Sequence, residues 1–461
     1  MKTAMMILLL WTSTLSADVK EIKRTIPAVK INTVELLGIN GSEIEIRTWD
    51  KEEISVMITV DYSSSNKDKV REYLNKVDIS ESTSNGRVTL TYRDAAETSG
   101  GFSFSNFFNS LFSSYSNLKV SGRITIPASS AFTSDMRYGK YSVEGVKGNL
   151  TLSGVANNVT VRNCPSLQTI ENNYGETTIE QCGGVLSLKG VSSTITVKGL
   201  NGSLTADANY SRISVSNVSA DVRVICSSGE IEVDETAKNV TLDAEYSQIS
   251  VLNTGGSVKI KSQSGTITVR QAANVDINAL YSTITVTSVS GAGEMVSLVT
   301  GSGKTELSDI VRSIYIEDSY STTFLNSIQG NVTLEGNTSN LHGKKVTGNL
   351  LVTNQYGIID FDDLAATTVE ISNKSIQVRL DLTLKPSKVQ IDNEYGPVTL
   401  TMPDFSGDVK LKAKYGSIST NLPVDVEDMG GSAFAIGKAG NGNGVMNVVT
   451  NSGSIDIRVK K

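Results

Sequence analysis

Along most of the chain, apolar residues come in pairs two apart: Ile213 and Val215, Val222 and Val224, Ile231 and Val233, Val240 and Leu242. Alternation of period two puts both members of a pair on one face of a strand. The residues are mostly β-branched, which suits a pleated surface and disfavours helix. The pairs themselves recur. With Tyr210 as position zero they fall at +3, +5, +12 and +14, and with Ser228 as zero they fall at the same four places. The opening tyrosine returns as Tyr138, Tyr174, Tyr210 and Tyr246 at intervals of 36 residues, then as Tyr281, Tyr320, Tyr356 and Tyr395 at intervals of 35 to 39. Copies opened by Ala156, Ser192, Ser228 and Ser264 lie between, so the period is 18 with Tyr in alternate copies.

A fixed period of this kind marks a repeat architecture. Two short strands and two turns per copy are too little for a propeller blade and about right for one coil of a β-helix. The expected fold is therefore all-β, a right-handed single-stranded parallel β-helix with coils of about 18 residues. Coils stack at about 4.8 Å, so inward residues at equal offsets form ladders. The +3/+5 ladder runs through Tyr141/Val143, Ile195/Val197, Ile249/Val251 and Ile284/Val286, and resumes at Thr323/Leu325, Leu341 and Ile359/Phe361. Asn149, Asn239 and Asn331 precede the inward residue at +12, where Asn suits the turn into the second strand. Glu427–Gly444 reads as a Gly/Asn-rich loop before the last strands.

The sequence divides into Met1–Ala17, residues 18–130 and residues 131–461. The first has Lys2, an apolar run Ala4–Trp11 and small residues at Ser16-Ala17, the pattern of a secretory signal peptide cut near Ala17. It predicts an exported protein of the periplasm, cell surface or medium. In residues 18–130 the rhythm is blurred, with strand-like pieces and two helical ones, as in an N-terminal capping region. Asn66–Val77 has Asn66 as N-cap and Val70, Leu74 and Val77 on one face. In the second, Phe104, Phe107, Phe108, Leu111, Phe112 and Tyr115 keep helical spacing among Ser and Asn. It is expected to cover the end of the solenoid, which needs its edge protected. A partner or membrane contact is the sharper reading, without the Lys/Arg face such helices carry.

A formal charge of −6 argues against nucleic acid, whose binders carry basic patches. No later stretch has the roughly 18 apolar residues of a transmembrane segment.

Gly122-Arg-Ile-Thr-Ile-Pro127 is followed by repeated turns before Ile-x-Val strands: Tyr138-Gly139, Ser228-Gly229, Ser264-Gly265-Thr-Ile-Thr-Val269 and Ser452-Gly453-Ser-Ile-Asp-Ile457. In these motifs the chain resembles the bacterial "putative adhesin" β-strand-repeat family, a domain of unknown function. The resemblance covers most of the mature chain. It implies a β-helix and an envelope location, and it brings no catalytic residues.

Candidate chemistry is sparse. His342 is the only His and reads as a surface residue in a turn, so neither a His-based metal cluster nor a Ser-His-Asp triad can form. Asp360 and Asp362 flank inward Phe361 and point out; they are the weak candidates for a cation or a sugar, against a solvated strand end. No cofactor is expected. Cys164 and Cys182 share offset +8 in successive copies, as two buried apolar residues or as a disulfide, whereas Cys226 sits at another offset. The tyrosines are expected to pack at a corner; an outward aromatic row would instead mark a binding face. Together these features predict an exported, non-enzymatic scaffold of the envelope or surface, binding an envelope protein or a surface glycan in adhesion. The rivals are a polysaccharide-active enzyme on the same fold and a periplasmic sensing or assembly partner.

Overall fold

The computed structural model describes residues 12–15, 18–93, 118–291 and 295–460. The chain is all-β, 75% strand and 2% helix, and forms a parallel β-solenoid of about 15 turns with a spacing of about 18 residues. It divides into two compact units, Met1–Cys226 and Ser227–Lys461.

In the first unit the coils run in exact parallel register. Thr177, Ile195 and Ile213 are successive partners, as are Ile179, Val197 and Val215. These side chains and those at +12 and +14, Leu204 and Ala206, are buried. Each Ile, Leu or Val so enclosed contributes roughly 1.5–3 kcal/mol of transfer free energy. The regular stack starts earlier than residue 131. Thr33–Leu37 and Ser42–Trp49 form a first coil, on which Ala131–Arg137 and Lys140–Glu144 lie in parallel register.

The rest of the N-terminal region extends the two faces of that coil. Leu118–Pro127 runs parallel beside Ser42–Trp49, then Glu53–Tyr62 and Val19–Pro27 follow antiparallel, with Thr12–Leu15 on the outer edge. On the other face Arg87–Arg93 runs parallel beside Thr33–Leu37 and turns back as a hairpin with Asp78–Ser84. The predicted helix is present over Lys67–Lys76. Asn66 caps it, its side chain accepting from the Lys69 N–H at 3.1 Å, and Val70 and Leu74 are buried. The aromatic run Phe104, Phe107, Phe108, Leu111, Phe112 and Tyr115 lies outside the described residues.

In the second unit the longer sequence intervals do not disturb the register. Tyr281, Ser302 and Tyr320 are successive partners across the Ser288–Val296 insertion. At the C-terminal end the stacking order departs from chain order. Gly444–Ser452 and Ile455–Val459 lie between two earlier coils. They pair with Lys388–Tyr395 and Val398–Met402 on one side, and with Gly407–Ala413 and Ile418–Thr420 on the other. The expected loop Glu427–Gly444 contains the strand Ala433–Ala439, which pairs antiparallel with Gly407–Ala413 and covers its edge.

Candidate functional site

Each coil bends sharply at two corners. At the tyrosine corner of the first unit the backbone is left-handed: φ is 58° at Tyr138, 56° at Ala156, 59° at Tyr174, 52° at Ser192 and 55° at Tyr210. Polar residues beneath the corner face inward and satisfy the turn. The Asn172 amide donates to the Asn157 carbonyl at 2.9 Å and accepts from the Asn157 N–H at 3.1 Å. Ser193 Oγ donates to the Asn172 carbonyl at 2.8 Å. In the second unit Asn354 and Asn393 do the same work, donating to the Ser339 and Ile376 carbonyls at 2.8 Å each. A buried amide without such partners would cost about 1–3 kcal/mol.

The rings above the corner do not pack down as expected. Tyr138, Tyr174 and Tyr210 are 46%, 64% and 67% exposed, and Tyr246, Tyr281, Tyr320, Tyr356 and Tyr395 are 48–62% exposed. Tyr246 Oη donates to Gln263 Oε1 at 2.5 Å. In each unit the tyrosines therefore form an outward aromatic row, every second coil being filled by a small residue.

A second constellation lies on the +4 face of the second unit. His342 is in the strand Asn340–Thr347, not in a turn, and is the register partner of Phe324 on one side and Asp360 on the other. Its ring stacks on Phe324 at 5.1 Å and 15° between planes, and the Lys304 ammonium lies 5.3 Å from the Phe324 centroid. Asp360 is in register with Arg379, whose Nη2 pairs with Asp360 at 2.5 Å and Asp362 at 2.9 Å. The guanidinium thus occupies the space between the two candidate carboxylates. Among the described residues no group of three or more His, Cys, Asp and Glu is placed to hold a metal ion.

Cys164, Cys182 and Cys226 are all buried, and Cys164 and Cys182 are not joined in a disulfide. Cys164 Sγ donates to the Arg162 carbonyl at 3.2 Å and Cys182 Sγ to the Glu180 carbonyl at 3.4 Å. Its hydrogen bond with Cys182, then burial, holds the Cys164 thiol far above the ordinary cysteine range.

Two features escaped sequence reasoning. The other corner, seven residues after the tyrosine position, is left-handed in coil after coil. In the first unit it falls at Gly145, Asn163, Gln181, Gly199 and Asn217. In the second it falls at Glu235, Asn253, Gln271, Ser288, Asp309, Ser327, Lys345 and Asp363. The residues differ while the conformation is constant, so no single residue type marks it. The Asn positions before +12 are not left-handed; they act through the side chain, Asn331 Oδ1 accepting from the Asn349 N–H at 2.9 Å and Asn239 Oδ1 from the Ser257 N–H at 3.0 Å. The second feature is the juxtaposition of His342, Asp360 and Arg379, which near-period spacing could have disclosed.

Among the described residues no helix is long and apolar enough to cross a membrane. No curated protein matches the chain. Among solved structures it is similar to a "putative cell adhesion protein" from Clostridium sporogenes, at 11% identity over 96% of this chain and 100% of that one, with a TM-score of 0.16. It is also similar to a "putative lipid binding protein" from Parabacteroides distasonis, at 10% identity over 72% and 96% of the two chains, TM-score 0.19. A "putative adhesin" from the same organism matches at 10% identity over 74% and 97%, TM-score 0.15. The model of one family, described as Toastrack DUF4097, matches residues 37–458, and the chain belongs to that family.

Proposed function

We propose that the chain is an exported, non-enzymatic β-solenoid scaffold of the bacterial cell envelope or surface that presents its outer corner to a ligand or partner. The observation that carries this reading is the exposed tyrosine row of each unit. Large aromatic rings held at fixed spacing on a rigid backbone are binding chemistry. The sequence at Met1–Ala17 supports export. The two candidate carboxylates share one arginine as ion-pair partner, which supports binding over catalysis. Fractionation of cells producing a C-terminally tagged chain, with protease accessibility of intact cells, tests the location. Recovery from the cytoplasm with residues 1–17 still attached would overturn the proposal.

A second reading draws on the +4 face. His342, Asp360 and Arg379 on adjacent coils resemble the acid, base and cation that a polysaccharide-cleaving site requires. The test is incubation with polyuronates, followed by absorbance of the unsaturated product and by reducing ends. Turnover that is lost in Asp360→Asn with Asp362→Asn, while the variant stays folded, would replace the scaffold with an enzyme.

A further inference from the structure

We infer that the tyrosine row of the second unit is a binding site for an extended, uncharged β-1,4-linked glycan, one ring beneath every second sugar. The inference rests on the scaffold reading above and names its ligand class. Tyr281, Ser302 and Tyr320 are successive register partners, and so are Tyr356, Ser375 and Tyr395. Thr338 bridges to Tyr356 in the coil between. Two strand spacings separate neighbouring rings, about 9.6 Å. A β-1,4-linked chain turns each sugar over relative to the last, so the same face recurs once per disaccharide. Two sugars of the extended chain span nearly that distance. An α-1,4-linked chain coils and cannot hold this match.

The small residues between the rings matter as much as the rings. Ser302, Thr338 and Ser375 leave a gap at every second coil, where the intervening sugar would lie with its hydroxyls toward the protein. The flanks of the row offer neutral hydrogen-bonding groups beside four charges of both signs, Glu245, Lys304, Lys374 and Glu394. Gln263, Asn337 and Gln355 precede the corner residues, and Thr283, Thr322 and Asn340 follow them. Such groups suit hydroxyls, and a net charge of −6 disfavours an acidic polymer. A tyrosine ring offers a flat apolar face and a wet hydroxyl edge, matching the apolar face and polar rim of a sugar. The register persists although the sequence intervals vary, so the ring spacing is held by the backbone.

The test is calorimetric titration of the full chain with cello- and N-acetylchito-oligosaccharides of increasing length, with α-1,4-linked gluco-oligosaccharides as controls. Affinity should rise with each added disaccharide, up to the length of the row. Each of Tyr281→Ser, Tyr320→Ser, Tyr356→Ser and Tyr395→Ser should weaken it about three- to tenfold, the worth of one aromatic stack. Serine already stands at the same corner in alternate coils, so these variants keep their circular dichroism and melting temperature. Tyr→Phe at the same positions should retain most of the affinity and guards against a misfolded serine variant. The inference is overturned by no binding to any β-linked oligomer, by equal binding of α-linked ones, or by undiminished binding in the folded quadruple serine variant. Tyrosine-dependent self-association without sugar binding, seen by analytical ultracentrifugation, would overturn it in favour of a second copy of the chain. Each of these leaves the envelope location standing, since cell fractionation tests that separately.

Discussion

Gly343 and Phe361 are register partners in adjacent coils, and a Cβ on Gly343 would come within 2.1 Å of the Phe361 ring. The same inward ladder carries Leu325 before them and Leu380 after them. The missing side chain in one coil is thus the volume that admits an oversized one in the next. Gly343→Ala should cost about 1–3 kcal/mol by overpacking. Gly343→Ala with Phe361→Leu should recover much of that cost. Urea unfolding of the two single variants and the double variant gives the coupling, expected at roughly 0.5–3 kcal/mol; an additive result would refute the relationship.

The left-handed corner makes the opposite kind of prediction. Lys345 holds φ at 54°, a conformation that costs an L-residue about 1–2 kcal/mol and glycine almost nothing. Lys345→Gly should stabilise the protein by about 1 kcal/mol after the extra backbone entropy of glycine is subtracted. Lys345→Val should destabilise it, since a β-branched residue tolerates this region worst. Equal melting temperatures for the two would show that the corner is not strained.

Asp318 is 4% exposed, and neither carboxyl oxygen has a hydrogen-bond partner. Its register partners are Thr300 and Gly336, neither of them ionisable. An unsatisfied buried polar group costs about 1–3 kcal/mol. Asp318→Thr, which repeats the residue of the preceding coil, should therefore raise stability by an amount of that order. A loss of stability would mean that the carboxylate has a structural partner such as a bound ion, and added salts would then shift the wild-type melting temperature.

Tyr141 lies fully inside the first unit, donating to the Ile39 carbonyl at 2.8 Å with Ser42 Oγ 3.3 Å away. Burial pushes its phenol up to about 12 from 10.0. Between those values the unfolded chain releases a proton that the folded chain keeps. Stability is complete below pH 10 and falls by about 1.4 kcal/mol per pH unit as pH rises toward 12. Tyr141→Phe should lose this contribution to the alkaline decline. Parallel slopes for the two proteins over that range in denaturant titrations would contradict it.

The sequence disclosed what side-chain spacing encodes. The inward ladders, the tyrosine corner and the Asn66-capped helix were legible because burial selects residue type at fixed intervals. It did not disclose the second corner, where Gly, Asn, Gln, Glu, Ser, Asp and Lys all meet a demand made on the backbone alone. Nor did it show the first coil at Thr33–Trp49, because the excursion through Glu53–Pro127 separates that coil from the next one in sequence. The exposure of the tyrosines was misjudged for a related reason. Periodicity tells which residues align but not whether a corner side chain packs down or points out, and the rings are exposed both where the corner is left-handed, as at Tyr210, and where it is not, as at Tyr320. The +4 constellation was within reach, since residues 342, 360 and 379 stand almost one period apart, but reading residues near one another in sequence kept His342 apart from the acids.

The exchanged order of the last coils has a consequence for how the protein is made. A chain that leaves the ribosome or the export channel from its N-terminus can add ordinary coils one at a time, each on a finished template. Lys388–Tyr395 has no such successor, because its neighbour Gly444–Ser452 is synthesised after Gly407–Ala413, the strand that must end up outside it. Gly407–Ala413 must wait, held by its antiparallel pairing with Ala433–Ala439, until Gly444–Ser452 slips into the gap. Closure of these coils is therefore a late, non-local event that waits for the synthesis of Gly444–Ser452. A chain cut short before Gly444 has a bare parallel edge open to pairing with another chain.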